Sequence, residues 1–456
     1  MNMEFIEQKL YERFILPTER EEGGYAGVEF EIPIINLSGK PVDFDIVHYM
    51  TDQFIRKFQA DQIKRDDKGS ICAAGISSNG DELSFDCSYN TLELSFGREA
   101  DLKEIDRRYR QYIAFIKKCL EEQGHTVTGM GINPNHRVNR NTPIPNGRYR
   151  MLLHHLRSYK NYEWQMIFHD IPHYGLIICS SQTHIDVSRE HLVRKINAFN
   201  RVEPLKALLF ANSPYPGGYL CVRDHFWRES MHGINPHNVD CWDIEPESID
   251  EILKYIRSMS LYCTERDSRY INFYPKQIDD YFNAEEIRGE YYSSNGYEDI
   301  SVAPQPEDLL YLRSFKFVDL TFRGTIELRS ACMQPLSEAM TVPAFNIGLN
   351  EVTDELEELL KKERIYHEGY NVRELRSMFV MEKLPAFAEP DDLSRLLIKI
   401  VELAEEGLRK RGNGEEKYLA PLKKRAENMM NPARETVQGT ENGKNTDYYV
   451  RKFGEI

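Results

Sequence analysis

The sequence predicts an α+β fold in which a curved, mainly antiparallel β-sheet with an acidic concave face is flanked by helices. Four separated stretches alternate apolar and polar residues with period two, as half-buried strands do. These candidate strands lie in the first three quarters of the chain, whereas helical patterns dominate the last quarter. Such segregation of strands and helices is typical of α+β proteins and not of alternating βαβ arrays.

The first of these strands carries two neighbouring acids. Read as a strand, the stretch from Gly27 to Pro33 gives three apolar side chains to one face and Glu29 and Glu31 to the other. Two like charges side by side on a strand destabilise it unless something positive lies over them. A solvated strand face is the simpler interpretation of one such pair, and it is the repetition of the pattern that favours a site.

Three later stretches have the same pattern. Their polar faces carry Glu93 (residues 91–96), Gln182, His184 and Asp186 (residues 181–187), and Glu327 and Arg329 (residues 325–329). We predict that the four polar faces meet on the concave side of one sheet. Converging carboxylates need a hard cation, and Mg²⁺, held by carboxylates, phosphates and water, is the natural one.

Asp86 is a weaker candidate for the same site. It precedes Glu93 by seven residues, and a strand–turn–strand arrangement would bring both carboxylates to one metal ion. A plain turn residue is an equally good interpretation of Asp86. His184 differs from the other histidines because it shares the polar face of a candidate strand, whereas His173, His225, His232 and His237 read as ordinary loop or core residues.

The helices and strands around these stretches are predicted from caps and periodicity. A short helix leads the chain over residues 1–20, and a strand pair spans Ile71 to Gly97. The clearest helix runs from Asp101 to Gln123, because Asp101 is a favourable N-cap and Gly124 follows the last turn. The polar tail from Gln438 is predicted to be frayed.

The domain organisation follows from the same survey. We expect one catalytic domain over residues 1–456, strand-rich to about 330 and helical from about 334. An acidic, tyrosine-rich stretch over residues 267–305 is a candidate lid or insertion.

Two cationic stretches lie in what reads as irregular chain. One is the polar loop of residues 133–150, which contains Arg148 and Tyr149, and the other is the stretch of residues 220–227, which contains Arg223 and Trp227. Long irregular loops in a compact protein are often functional. Guanidinium groups suit carboxylates and phosphates, so arginines around an acidic metal site suit a triphosphate and a carboxylate substrate.

Composition limits the classes of partner. The 456-residue chain is 41% hydrophobic and carries a net charge of -15, which repels nucleic acid and anionic membranes as a whole. No apolar run is long enough to span a bilayer, and Met1 to Glu7 do not form a signal peptide. The eight scattered cysteines form no Cys-x-x-Cys pair, so we expect reduced thiols in the cytoplasm.

Several common catalytic motifs are absent from the sequence. It contains no Walker-type phosphate loop, no dinucleotide-binding glycine fingerprint and no Gly-x-Ser-x-Gly elbow, and its histidines and cysteines lack zinc spacing. Any nucleotide chemistry therefore depends on the acidic strands and the arginines.

At these residues the chain resembles the glutamate–cysteine ligase family of the plant and proteobacterial type, within the carboxylate–amine ligases of glutamine-synthetase-like fold. The resemblance runs from about residue 20 to about residue 430, and it rests on the shared order of modest motifs. These are Gly27-Val28-Glu29-Phe30-Glu31, Asp86 with Glu93-Leu94-Ser95, Pro145-Asn146-Gly147-Arg148-Tyr149, Gln182-Thr183-His184, Val222-Arg223-Asp224-His225-Phe226-Trp227 and Glu327-Leu328-Arg329.

The resemblance implies a role for each candidate residue. Glu29, Glu31, Asp86, Glu93 and Glu327 would be metal-site acids, with Gln182 or His184 completing the shell. Arg148 and Arg223 would hold glutamate carboxylates or nucleotide phosphates, with Tyr149 and Trp227 beside them. Arg329 would neutralise the transferring phosphoryl group, which with Glu327 makes it the candidate catalytic pair.

The implied activity is an ATP- and Mg²⁺-dependent ligation that makes γ-glutamylcysteine, in the cytoplasm, by a monomer or homodimer with small-molecule partners only. Three alternatives stay open at this point. The enzyme would join glutamate to a different amine, amino acid or peptide; the chain would be an inactive binding or regulatory protein; or it would be a guanidino kinase on a related sheet.

Overall fold

The computed structural model describes residues 3–161 and 168–456. Within these ranges the strands are β1 (Ala26–Asn36), β2 (Gln62–Arg65), β3 (Ile71–Ile76), β4 (Asp81–Phe85), β5 (Thr91–Glu99), β6 (His125–Val127), β7 (Ser181–Asp186), β8 (Val239–Asp240), β9 (Ser260–Arg266), β10 (Arg269–Gln277), β11 (Ile287–Ser293), β12 (Gly296–Val302), β13 (Phe315–Lys316), β14 (Val318–Leu320) and β15 (Thr325–Leu328).

The α-helices surround these strands. They are α1 (Met3–Leu10), α2 (Phe44–Phe58), α3 (Leu102–Glu121), α4 (Gly147–Arg157), α5 (Leu192–Phe210), α6 (Val222–Arg228), α7 (Ile249–Arg257), α8 (Ile278–Asn283), α9 (Thr341–Asn350), α10 (Thr353–Lys362), α11 (Val372–Phe379), α12 (Pro390–Arg411), α13 (Ala420–Asn428), α14 (Pro432–Glu441) and α15 (Thr446–Phe453).

The central sheet has the strand order β14-β15-β7-β1-β5-β4-β3-β2, and β6 pairs with the far end of β1. Each neighbouring pair in it is antiparallel. The α+β class with a mainly antiparallel sheet is therefore confirmed, as is the helical last quarter, which contains α9 to α15.

The alternation of β1 separates a core face from a polar face. Val28, Phe30 and Ile32 are fully buried, and the Phe30 ring lies 5.0 Å from the ring of Tyr109 on α3. The predicted helix from Asp101 is confirmed as α3, and the Asp101 side chain accepts a hydrogen bond from the Lys103 amide. Helices α2 and α3 thus cover the apolar side of the sheet and leave the opposite side to Glu29 and Glu31.

The sequence-based prediction of one strand pair between Ile71 and Gly97 is wrong, because this segment forms three strands. The step Asn79-Gly80 makes the additional turn between β3 and β4, and Gly80 has a φ of +75°. Asn-Gly is a favoured hairpin sequence because both residues tolerate positive φ. A closer reading of this dipeptide would have found the third strand.

The tail is ordered and packed, contrary to the frayed end expected from its polarity. Helix α15 buries Tyr449, Val450 and Phe453, and the Thr128 hydroxyl donates to the Val450 carbonyl at 3.0 Å. The Gly129 amide donates to the Phe453 carbonyl at 3.0 Å. A few aromatic anchors therefore outweigh the polar composition of the segment.

Residues 267–305 contribute to a second, four-stranded sheet with the order β12-β11-β10-β9. This sheet packs against α4, where the His154 ring stacks on Tyr297 at 3.5 Å and His154 Nε2 lies 2.6 Å from a Glu290 carboxylate oxygen. The second sheet thereby fixes the position of α4 over the central sheet. Its role as a lid, like the single-domain organisation, stays a prediction.

The described ranges also bear on membrane insertion. No helix in residues 3–161 or 168–456 combines the length and the apolar composition needed to cross a bilayer.

Candidate functional site

The strand register brings the polar faces of the four acidic strands side by side. The directly opposed pairs are Glu31 with Glu93, Glu29 with Gln182, and His184 with Glu327. Side chains of opposed residues lie on the same face of a sheet, a few ångströms apart. The central sheet therefore carries six of the candidate residues on one polar face, across β5, β1, β7 and β15.

A chain of polar contacts crosses this face. Glu31 accepts hydrogen bonds from the Ser180 amide at 2.7 Å and from Gln182 Nε2 at 2.8 Å. The Gln182 side-chain oxygen accepts from Arg329 at 3.5 Å, and Arg329 Nε lies 2.9 Å from a Glu327 carboxylate oxygen. The candidate catalytic pair is thus formed within β15 and its C-terminal end, and it is connected to the acids of β1 through Gln182.

His184 is held between an acid and an arginine. Its Nε2 lies 3.2 Å from a Glu29 oxygen, and its Nδ1 lies 3.4 Å from Arg323. Burial lowers the pKa of His184, but the Glu29 and Glu327 carboxylates outweigh this effect and raise it above its usual value. Burial raises the pKa of Glu29, but the His184 hydrogen bond and the charges of His184, Arg329 and Arg323 together outweigh it and lower the pKa.

Asp86 and Glu93 have the opposite electrostatic environment. Burial first, and the Glu31 charge second, raise the pKa of Asp86 to about 7. Burial together with the charges of Glu29, Asp86 and Glu31 raises the pKa of Glu93 well above its usual value. These carboxyls are held close together with too little positive charge between them, which is the electrostatic condition that a bound cation relieves.

Three adjoining cavities meet at this face. The acid cavity has a volume of about 400 Å³ and is lined by residues that include Glu29, Glu31, Asp86, Glu93 and Gln182. The aromatic cavity, of about 130 Å³, is lined by residues that include Tyr149, Tyr174, Arg223, Trp227 and Phe315. The arginine cavity, of about 280 Å³, is lined by residues that include Arg13, Arg313, Arg323, Asp319 and Glu327.

Two arginines are common to all three cavities. Arg148 and Arg329 line the acid, aromatic and arginine cavities alike. A group bound in any one cavity is therefore in reach of a guanidinium that also faces the other two. This is the arrangement expected where separate reactants must meet.

Arg148 lies on a helix and not in the loop where the sequence placed it. Asn146 caps α4, since its side-chain oxygen accepts from the Tyr149 amide at 2.8 Å. No carboxylate oxygen of residues 3–161 and 168–456 forms an ion pair with Arg148, whose guanidinium lies 5.5 Å from the Tyr149 ring. An arginine without a carboxylate partner is suited to bind an anionic ligand.

Arg223 also lies on a helix, α6, where a loop was predicted. Its Nη1 donates to the Ser330 carbonyl at 2.9 Å and its Nη2 to the Arg329 carbonyl at 3.4 Å. The adjacent Asp224 is bound by Arg376 of α11 at 2.6 Å. The Arg223 guanidinium therefore holds the backbone at Arg329 and Ser330 in place. Asp224, through its bond to Arg376, fixes the position of α6.

The donor set at the acid cavity fits Mg²⁺ by its chemistry, although the described residues contain no preassembled group of three or more metal-ligating side chains. Glu31, Asp86 and Glu93 are oxygen donors, and a cation would offset the repulsion that raises the pKa of Asp86 and Glu93. Gln182 and His184 are each engaged by two neighbours in this arrangement.

Sequence reasoning missed several residues of the site. Asp319 lies directly opposite Glu327, and burial with the Glu327 charge raises its pKa to about 7. The apolar–acid–apolar triplet of β14 carries the same period-two signal as the four strands that were found, but it is only three residues long. Arg323 and Ser180 act from a turn and from the residue before β7, where no pattern marks them.

We expect the Asp86 carboxyl group to destabilise the metal-free protein increasingly as the pH rises from about 4 to about 7. The folded state binds the Asp86 proton more tightly than the unfolded chain does, so releasing that proton favours unfolding. With both proteins in EDTA, the melting temperature of Asp86→Asn should rise relative to that of the wild type as the pH increases over this range. A difference that does not change with pH would contradict the assignment.

A sheet with carboxylates on one face, beside three cavities that share two arginines, is an arrangement that suits an enzyme of the carboxylate–amine ligase class. Acids and arginines together suit a reaction between a phosphorylated nucleotide and a carboxylate substrate. A family model described as Glutamate-cysteine ligase family 2 (GCS2) matches residues 26–449. The protein belongs to this family.

Individual relatives agree with the family assignment. The chain is 22% identical over 441 residues to the chloroplastic glutamate–cysteine ligase of Solanum lycopersicum, covering 94% of this chain and 77% of the relative. It is 21% identical over 440 residues to the chloroplastic enzyme of Arabidopsis thaliana, with the same coverage. A crystal structure of glutamate–cysteine ligase from Francisella tularensis in complex with AMP superposes with a TM-score of 0.49 at 10% identity, covering 94% of this chain and 88% of that one.

Proposed function

We propose that the protein joins the γ-carboxylate of glutamate to the amine of cysteine, using ATP and Mg²⁺, and so makes γ-glutamylcysteine, a step of glutathione biosynthesis. The observation that carries the proposal is the meeting of three cavities at Arg148 and Arg329 beside the acid cluster. A three-substrate ligation needs such a junction, because the phosphoryl donor must reach an oxygen of the substrate carboxyl group and the amine must reach its carbon.

The chemistry proceeds in two steps. The glutamate γ-carboxylate oxygen takes the terminal phosphoryl group of ATP, releasing ADP, and the acceptor nitrogen then attacks the acyl carbon, releasing phosphate and its own proton. Arg329, aligned by Glu327 at 2.9 Å, is placed to stabilise charge on the transferring phosphoryl group. Arg148, which has no carboxylate partner among the described residues, is placed to bind a substrate carboxylate or a phosphate.

The acids of the cluster have a separate part in this proposal. Glu31, Asp86 and Glu93 would hold Mg²⁺, with Glu29 and Glu327 at the edge of the cluster. When bound, Mg²⁺ supplies positive charge for the phosphate oxygens. The second sheet, packed on α4, would limit the entry of water to the acyl phosphate.

The supporting experiment is phosphate release from ATP with Mg²⁺ and glutamate, measured against a panel of amines, with mass spectrometry of the products. We expect release to require glutamate and cysteine together and to yield the mass of γ-glutamylcysteine. Phosphate release with a different amine would support the ligase mechanism but would show that cysteine is not the acceptor. No release with any pair would leave an inactive binding protein as the interpretation.

The partners and the location remain part of the proposal. Small molecules suit the enclosed cavities, and the net charge of -15 disfavours nucleic acid. All eight cysteines are free, which supports a reducing compartment such as the cytoplasm. A monomer or homodimer is the oligomeric state we propose.

A further inference from the structure

The aromatic cavity contains a histidine that the acid cluster does not use. His232 lines this cavity and is only 4% exposed. Its Nδ1 lies 2.5 Å from the Tyr174 hydroxyl, whereas its Nε2 has no hydrogen-bond partner among residues 3–161 and 168–456. A buried nitrogen without a partner is costly, so a bound group that satisfies it would be stabilised.

The neighbouring hydroxyls determine which nitrogen of His232 carries the proton. The Ser230 hydroxyl donates to the Trp227 carbonyl at 2.9 Å, which uses its one proton. The contacts of this group are all satisfied together only when Ser230 accepts from Tyr174, whose hydroxyl lies 3.1 Å away. Tyr174 has then used its own proton, so its oxygen accepts from His232 Nδ1, and Nε2 is left with a free lone pair.

The His232 ring is neutral, and its Nε2 lone pair is free. Burial lowers the pKa of His232 well below its usual value, and the neighbouring His155 and Arg329 lower it further. The His232 ring also packs against aromatic neighbours, 4.3 Å from Phe315 and 5.2 Å from Trp227. The cavity therefore presents a neutral hydrogen-bond acceptor between aromatic faces, with the guanidinium groups of Arg148, Arg223 and Arg329 and the carboxyl groups of Glu31 and Asp86 on its walls.

We propose that Nε2 of His232 accepts a hydrogen bond from the ammonium group of an amino-acid substrate, whose carboxylate is held by the arginines of the same cavity. This inference rests on the proposed function and names a specificity-determining residue for it. An ammonium group is attracted by aromatic faces and donates to a neutral acceptor, while the arginines attract the carboxylate of the same molecule. A volume of about 130 Å³ equals roughly four water molecules, which matches an amino-acid head group.

Two ammonium groups have this chemistry, namely the α-amino group of glutamate and the amino group of the acceptor. The α-amino group of glutamate is the favoured source, because the acceptor nitrogen must be free to attack the acyl carbon. Recognition at His232 would then ensure that the γ-carboxylate, and not the α-carboxylate, reaches the acid cavity.

The chain offers a matched control in His155. Its ring is 1% exposed, both its nitrogens lack a partner among the described residues, and it lies 6.1 Å from the His232 ring. It is not among the residues that line the aromatic cavity. His232→Phe and His155→Phe therefore both remove a buried unpaired imidazole, and only the first removes an acceptor from the cavity.

We expect His232→Phe to raise the KM of the substrate that carries the bound ammonium by about 10- to 100-fold, the range for a hydrogen bond to a charged group. His155→Phe should leave the KM for glutamate and the KM for the acceptor within about twofold of the wild-type values. A rise in the glutamate KM that is absent when glutarate replaces glutamate identifies the α-amino group, and a rise in the acceptor KM identifies the acceptor. If neither KM exceeds that of His155→Phe, the proposal is wrong.

A second measurement does not depend on turnover. The ¹⁵N spectrum of wild-type protein labelled at its histidine rings should show one ring with Nδ1 protonated and Nε2 bare, absent from His232→Gln. Glutamate added alone should shift that Nε2 resonance, and glutarate should not. An Nε2 resonance that neither glutamate nor cysteine shifts would overturn the proposal even if ligation occurs, whereas a shift without ligation would overturn only the proposed function.

Discussion

Replacing Arg329 with alanine will lower the rate of ligation by about 100- to 1,000-fold, the effect of removing one preorganised donor from developing charge. Arg329 lines all three cavities, is held by Glu327 at 2.9 Å, and lies within 3.5 Å of Gln182. Because we propose that its positive charge acts on the transferring phosphoryl group, we expect the loss in kcat more than in the KM values. Steady-state kinetics with all three substrates measure this directly.

Arg20→Ala is the matched control for Arg329→Ala. Arg20 donates to Asp186 at 3.2 Å on β7, yet it lines none of the three cavities. An exposed ion pair contributes little to stability, so this variant should keep the wild-type rate. The rate of Arg329→Lys should lie between the rates of Arg329→Ala and Arg20→Ala, since lysine keeps the positive charge but lacks the planar guanidinium group. A near-normal rate in folded Arg329→Ala would contradict the role assigned to Arg329.

The acidic face could be predicted from sequence because strand periodicity is local. In β1 the alternation of buried apolar residues with Glu29 and Glu31 is visible in seven residues, and any fold that buries the apolar side must gather the acids on the other. The same logic found Glu93, Gln182 and Glu327. It failed at Asp319 because β14 is too short to show a period.

Residues that depend on tertiary contacts could not be predicted in this way. Arg148 and Arg223 were recognised by residue type, but their helices are short and begin at Gly147 and Val222. His232 was interpreted as an ordinary loop or core residue, because its free Nε2 results from a proton arrangement that involves Tyr174 and Ser230, which are 56 residues apart in the chain. Such information exists only in the folded molecule.

The second large effect concerns Glu93, for which activity and stability should change in opposite directions. We expect Glu93→Gln to lower ligation by about 100-fold or more, since a metal ligand supports several kcal/mol of charge stabilisation. The metal-free variant should nevertheless melt at a higher temperature than the metal-free wild type at pH 7.5. Kinetics at saturating Mg²⁺ and melting curves in EDTA test the two halves of this prediction.

The stability gain follows from the environment of the carboxyl group. Burial and the charges of Glu29, Asp86 and Glu31 raise the pKa of Glu93 well above its usual value, whereas the unfolded chain ionises it freely at pH 7.5. Glutamine removes that difference and keeps an oxygen for the Ser95 hydroxyl, which donates at 3.0 Å. Glu82→Gln is the control, because Glu82 lines the same cavity but is paired with Lys64 at 2.9 Å. A Glu93→Gln protein that is both inactive and less stable would show that the acid cluster is structural, whereas opposite signs identify a site whose repulsion is maintained for a cation.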